Sequence, residues 1–309
     1  MAENIEKLTP IFSGDSQLKR VNKVWLLPFL SLFFIIGGQI LSMMPAVRLG
    51  LIDPKSIETY PTITYFLLLC FGAIFLLVLL WTKLYEGRSI ASLGLGTSSI
   101  AKEYGYGAGV GIAFAALSVF VIFIVGGYQA AENLPFTVSS LLPVAILLIG
   151  FCFQSWVEEV LFRGWLLSRA YELKGEFFAI IFSSLMFMVV HLLSIEGETV
   201  QFPGFAIFVT MTFLFSTFLA KMTLHFKSIW FAAGWHGLWN WFFINGAGLP
   251  TTGIDLNVRP LFANLEIAPS APYWLTGGSD GPENSIITMA VLIMANIYVF
   301  KYLNNKHTN

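Results

Sequence analysis

The sequence predicts an all-α integral membrane protein of about eight transmembrane helices with a buried polar site formed by helices four, five and seven. Three observations carry that reading. First, 56% of the 309 residues are hydrophobic and 11% are charged, whereas a soluble domain carries about 25% charged residues. Second, eight apolar segments approach the roughly 20 residues that a helix needs to cross the hydrocarbon core. Third, the titratable side chains well inside those segments are few and confined to three of them: Glu158, Glu159, Arg163, His191 and His236. Ionisable groups at membrane depth usually face one another or a wet cavity, so one shared site is the economical arrangement.

The elements follow in order. Residues 1–24 are polar and read as a cytoplasmic N-terminal tail. No cleavage pattern precedes the first span, 25–44, which reads as a retained helix. The others are 61–82, 104–127, 137–160, 177–195, 203–221, 228–248 and 285–303. The fourth runs on to about residue 171, because LFRGWLLSRAYEL stays compatible with helix. The third carries Gly105, Gly107, Gly109 and Gly111, two pairs spaced by four, which permits a close helix crossing. Residues 249–284 are rich in Gly and Pro and therefore irregular. The apolar patches LFANL and YWL in that loop are expected to fold back on the helices or the membrane surface. Residues 25–305 read as one membrane domain without internal repeats, and 306–309 as a C-terminal tail.

Basic residues orient the helices. With the N-terminus inside, thirteen of the seventeen Lys and Arg residues fall in cytoplasmic segments; Arg48, Lys55 and Arg259 fall outside, and Arg163 lies within a span. The expectation is a multi-pass protein of the cell (inner) membrane with both termini cytoplasmic. A net charge of -1 gives no basic field for nucleic acid. Cys70 and Cys152 lie in apolar runs and read as packing residues, with neither disulfide nor metal spacing.

Two adjacent carboxylates at membrane depth are costly, by a few to about ten kcal/mol each. Glu159 and Arg163 are four apart and share a helix face, so they can pair; Glu158 is rotated about 100° away and faces a neighbouring helix. Phe187 and His191 are four apart on the fifth span, and His236 and Asn240 on the seventh. From the helix ends, a rise of about 1.5 Å per residue brings these groups into one layer. Each has a bland reading alone: a structural ion pair, a satisfied core histidine, a polar tip in an aromatic belt with Trp230, Trp235, Trp239 and Trp241. Their combination argues for chemistry or transport inside the membrane.

The strings EEVLFRG (Glu158 to Gly164), FMVVH (Phe187 to His191) and HGLWN (His236 to Asn240), in that order on three spans, resemble the CAAX protease and bacteriocin-processing (ABI) family of intramembrane endopeptidases, including the type II CAAX prenyl endopeptidases. The resemblance extends roughly over 86–305. It implies an eight-helix fold and peptide-bond hydrolysis by an activated water. By carry-over, Glu158 and His191 hold and deprotonate the water, and His236 and Asn240 stabilise the oxyanion. Glu159 and Arg163 orient the site, and Phe187 packs beneath His191. The resemblance leaves two chemistries open: zinc held by Glu158, His191 and His236, or a metal-free hydrolysis by the same residues. The implied partners are a membrane-associated peptide or protein substrate and the lipid bilayer. Two rival functions remain: a non-catalytic immunity or scaffold protein of the same fold, and a proton-coupled transporter, which would bring repeats and broken helices.

Overall fold

A computed structural model describes residues 10–12, 22–56, 59–132, 137–193, 201–256 and 258–303. Most of the 1–24 tail and all of 306–309 lie outside the described residues. Every one of the eight apolar segments is helical. Among the described residues five helices are long and apolar enough to cross a membrane: α1 (Val24–Arg48), α2 (Thr62–Glu86), α3 (Ile100–Ile124), α4 (Val138–Lys174) and α6 (Gly204–Phe226). The other three are shorter. α5 (Glu176–Leu192) and α8 (Ile286–Tyr302) have 17 residues each, a rise of about 26 Å against a core of about 30 Å. α7 (Trp230–Trp241) has 12 residues and continues as a π-helical segment, Phe242–Gly246. The sequence gives it a full-length span because its apolarity continues beyond the regular helix.

The helices sort by what surrounds them. α1, α2, α3 and α8 present large apolar side chains outward, among them Phe29, Phe33, Leu76, Phe120 and Ile297, as a lipid-facing surface requires. α7 is enclosed: ten of its twelve residues are buried. Glycines let it sit that deep. A Cβ at Gly107 or Gly111 of α3 would fall 2.0 Å from the Phe231 carbonyl oxygen or 2.4 Å from that of Trp235, and one at Gly234 would fall 2.2 Å from the Tyr104 carbonyl oxygen. On the other side Gly237 faces the Cys152 backbone of α4. Of the two glycine pairs in α3, only Gly107/Gly111 makes this crossing; Gly105 and Gly109 face open space.

A mutational contrast follows. Gly111→Val should destabilise the protein by about 1–3 kcal/mol or more, as overpacking does. Gly109→Val should stay within about 0.5 kcal/mol. Unfolding in mixed micelles would check this; equal losses would mean that the α3–α7 crossing is not close.

α4 is one continuous helix in three registers: α-helical over Leu141–Glu159, π-helical over Val160–Leu167 and α-helical again over Ser168–Lys174. All eight residues of the π segment are buried. At its far end a charged cluster ties α4 to the end of α2. Arg169 donates to Glu86 Oε2 through Nε (2.9 Å) and Nη2 (2.7 Å), and Trp165 Nε1 donates to Glu86 Oε1 (2.9 Å). Beside it Arg88 grips Glu172 with both terminal nitrogens, at 2.7 and 2.6 Å. Arg88 and Arg169, which the sequence places among the cytoplasmic-side charges, are thus buried and paired.

The 249–284 loop folds back over the ends of the helices. Strand β1 (Tyr128–Ala130), after α3, pairs antiparallel with β2 (Leu265–Ile267) within the loop, with Gln129 opposite Glu266. Leu261 N–H donates to the Asn245 carbonyl at 2.7 Å. Gly281, at φ +99°, brings its backbone against Pro250, where a Cβ would lie 2.0 Å from the Pro250 carbonyl oxygen. The two ends of the loop are thereby pressed together.

Candidate active site

Glu158 and Glu159 end the first α-helical stretch of α4, where its register changes. π-helical turns inside α-helices occur frequently at functional sites. Glu159 is fully buried. Its Oε1 accepts from Arg163 Nη1 (3.0 Å) and lies 2.8 Å from His236 Nδ1 on α7. Arg163, also fully buried, donates through Nη2 to Ser216 Oγ of α6 (3.0 Å) and lies 4.5 Å over the Phe187 ring. One carboxylate therefore links α4 to α7, and one guanidinium links α4 to α5 and α6.

An ionised carboxylate accepts hydrogen bonds only. Glu159 thus fixes the proton of His236 on Nδ1 and turns Nε2 towards the cavity. Nε2 lies 3.7 Å from Glu158 Oε2, which has no hydrogen-bond partner among the described residues. The other oxygen of Glu158 accepts from Gln154 Nε2 at 2.6 Å. Asn240 Nδ2, one turn beyond His236, lies 3.5 Å from Gln154 Oε1. On α5, His191 Nδ1 is 2.8 Å from the Phe187 carbonyl oxygen, with the two rings 4.2 Å apart. Phe187 and Phe215 stack at 5.6 Å, and Phe215 meets the His236 ring edge-on at 4.9 Å.

Glu158, His191, His236 and Asn240 all line one cavity of about 400 Å³. α1 and α2 close one side of it with Ile35, Phe66 and Phe71, and α6 another with Met211 and Phe215. Thr251, Thr252 and Glu283 of the long loop line it as well. The cavity is therefore apolar-walled with a small set of polar groups at its base and a polar loop edge, the usual make-up of a ligand site.

Zinc needs three protein ligands arranged around one point. Among the described residues no three His, Cys, Asp or Glu side chains are gathered in that way. In this arrangement Glu158, His191 and His236 share the cavity without forming a three-ligand set.

Several contributing residues escape sequence reasoning. Gln154 precedes Glu158 by four residues in an apolar run, a polar signal that a search confined to titratable groups passes over. Ser216 and Phe215 carry no signal that separates them from ordinary helix residues. Glu283 reads as a loop charge, yet it is only 6% exposed. It accepts from Thr251 Oγ1 (3.2 Å), from Thr252 Oγ1 (2.8 Å) and from the Thr252 N–H. The sequence also pairs Glu159 with Arg163 alone; in the structure His236 is its second partner.

Burial pushes the Glu283 carboxyl above its ordinary range, against the pull of its threonine donors. The folded state therefore holds this proton more tightly than the unfolded chain. Its contribution to stability is complete below the ordinary carboxylate range and is lost as pH rises through the raised value. Melting curves should show wild type losing stability relative to Glu283→Gln as pH increases; a constant difference between pH 4 and 8 would contradict this.

Residues 140–242 match the family described as Type II CAAX prenyl endopeptidase Rce1-like. Neither the curated proteins nor the solved structures give a significant match. The matched stretch is about a third of the chain, narrower than the 86–305 resemblance, and spans α4 to α7. All seven side chains of the three motifs lie within it. The matched family agrees with the CAAX protease family that the three motifs resemble.

Proposed function

We propose that the chain is an intramembrane endopeptidase that hydrolyses peptide bonds with a water activated by Glu158. The carrying observation is the arrangement around His236: Nδ1 at 2.8 Å from Glu159 and Nε2 at 3.7 Å from the unpartnered oxygen of Glu158. That distance is beyond a direct hydrogen bond, and both side chains line the cavity, so one water can contact the two together. Glu158 takes a proton from this water as it attacks the peptide carbonyl, and later passes the proton to the leaving amine. His191, which lines the same cavity, gives the water a third contact.

The developing oxyanion needs donors fixed in advance. Asn240 offers an amide hydrogen. His236 donates at Nε2 only when both ring nitrogens carry protons, and the Glu159 carboxylate supplies the balancing charge. Arg163 and Ser216 hold Glu159, and Phe187 and Phe215 hold the imidazole rings. All eight apolar helices cross the membrane in this reading, α5, α7 and α8 among longer neighbours. Both chain termini lie in the cytoplasm, and the bilayer belongs to the cell (inner) membrane. The substrate is a membrane-associated peptide or protein.

The test is cleavage of internally quenched peptides by the purified protein in proteoliposomes. Wild type should cut, and Glu158→Ala and His191→Ala should not while inserting and melting normally. Normal cleavage by both variants would refute the assignment. The zinc alternative is decided by elemental analysis with activity after exhaustive chelation. Full activity in a zinc-free sample is the expected result, and loss restored by added zinc would require a metal-bound water instead.

A further inference from the structure

The loop edge of the cavity has a feature that the hydrolytic residues do not account for. Thr252 adopts φ +48°, the left-handed region that a β-branched residue normally avoids. Such conformations persist only where surrounding structure over-determines them, and they cluster at ligand-handling sites. Here the constraints are explicit. Glu283 accepts from both the N–H and the hydroxyl of Thr252 and from the hydroxyl of Thr251. Thr251 and Ile254 exchange a pair of backbone hydrogen bonds, at 3.1 and 2.8 Å. Gly253 N–H donates to the Asp280 carbonyl (3.3 Å), and Gly281 backs directly onto Pro250. All of this holds one short segment in one shape.

The position of the segment gives that rigidity a use. Thr251, Thr252, Ile254 and Glu283 line the same cavity as Glu158, His191, His236 and Asn240. Thr251 is buried and Thr252 is exposed, so the segment passes from the wall of the cavity to its rim. An unconstrained loop at this place would fold more easily with glycine at position 252 and would need no buried carboxyl.

Building on the protease reading, we propose that Thr251–Thr252 is the rim against which an extended peptide substrate is aligned, and that Glu283 is a positioning residue that holds the rim in place. Glu283 touches neither water nor scissile bond; it acts through the two threonines. A substrate peptide lies between this rim and the base of the cavity, so the rim governs how well the peptide is held rather than how fast the bond breaks.

Thr252→Gly separates this role from a purely structural one. Relief of the left-handed strain should leave the melting temperature equal or higher. KM for an internally quenched peptide should nevertheless rise at least fivefold, with kcat changed by less than twofold. Glu283→Ala should raise KM in the same way. Glu283→Gln should recover most of that loss, because its carbonyl oxygen still accepts from Thr252. In parallel, a benzophenone-bearing version of the peptide is photo-crosslinked to the Glu158→Gln protein, with and without Thr252→Gly, where the second substitution should lower the yield several-fold. Crosslinking to a wild-type protein that does not cut would refute the protease reading and leave the rim standing. Cutting with KM and crosslinking unchanged by Thr252→Gly would overturn the rim, as would the absence of any crosslink to the Glu158→Gln protein.

Discussion

Glu158→Gln should lower peptide hydrolysis by about 10²–10⁴-fold, the range for loss of a general base, with little change in thermal stability. The amide keeps the size of the side chain and an oxygen to accept from Gln154, but it cannot take the proton of the attacking water. Glu159→Gln should behave in the opposite sense: a smaller loss of activity and a larger loss of stability. It leaves the fully buried Arg163 without its carboxylate partner and removes the anchor of His236 Nδ1. Breaking a buried ion pair in this way costs about 3–5 kcal/mol. Turnover and melting temperature, measured on the same preparations, decide the matter. A greater activity loss at Glu159, with the fold intact, would exchange the two roles.

Arg169→Ala should be among the most damaging substitutions for stability, at about 3–5 kcal/mol. Glu86 is 1% exposed and would keep its charge in a dry environment with only Trp165, Asn22 and the more distant Arg88 beside it. Arg169→Lys should recover only part of the loss, because an ammonium cannot reproduce the two-pronged grip on Glu86 Oε2. Removing both charges in Glu86→Gln/Arg169→Met should cost less than Arg169→Ala alone, since no unpaired charge is then left behind. Unfolding in mixed micelles measures all three. If Arg169→Ala melts like wild type, this cluster is not what joins α2 to α4.

Much of this was readable in the residues themselves. Apolar runs locate the helices because a lipid environment imposes composition over whole segments. The titratable groups stand out because each is costly at that depth, and EEVLFRG, FMVVH and HGLWN are therefore conspicuous. Uncharged partners are not. Gln154 and Ser216 differ little from many polar residues that helices tolerate, and only three-dimensional proximity reveals what they hold. Glycine spacing could not separate Gly107/Gly111 from Gly105/Gly109, because both pairs satisfy the same interval and only the position of α7 distinguishes them. Glu283 was hidden for a different reason. Its burial depends on contacts made by a loop that follows no period, so nothing local distinguishes it from a solvated charge.

The widened stretch at Val160–Leu167 makes α4 more tolerant of one kind of genetic change than a regular helix would be. A π turn holds an extra residue relative to an α turn. A single-codon deletion there could be absorbed by tightening the helix, so the chain would still be long enough to span the bilayer. The rest of α4 would keep its facing, with Arg169 still against Glu86 and Glu159 still beside His236. The same deletion in the regular stretch before Glu158 would instead turn every later residue by about 100° relative to the earlier ones. Single-residue deletions in α4 should therefore be tolerated best within Val160–Leu167, at positions other than Arg163 and Trp165.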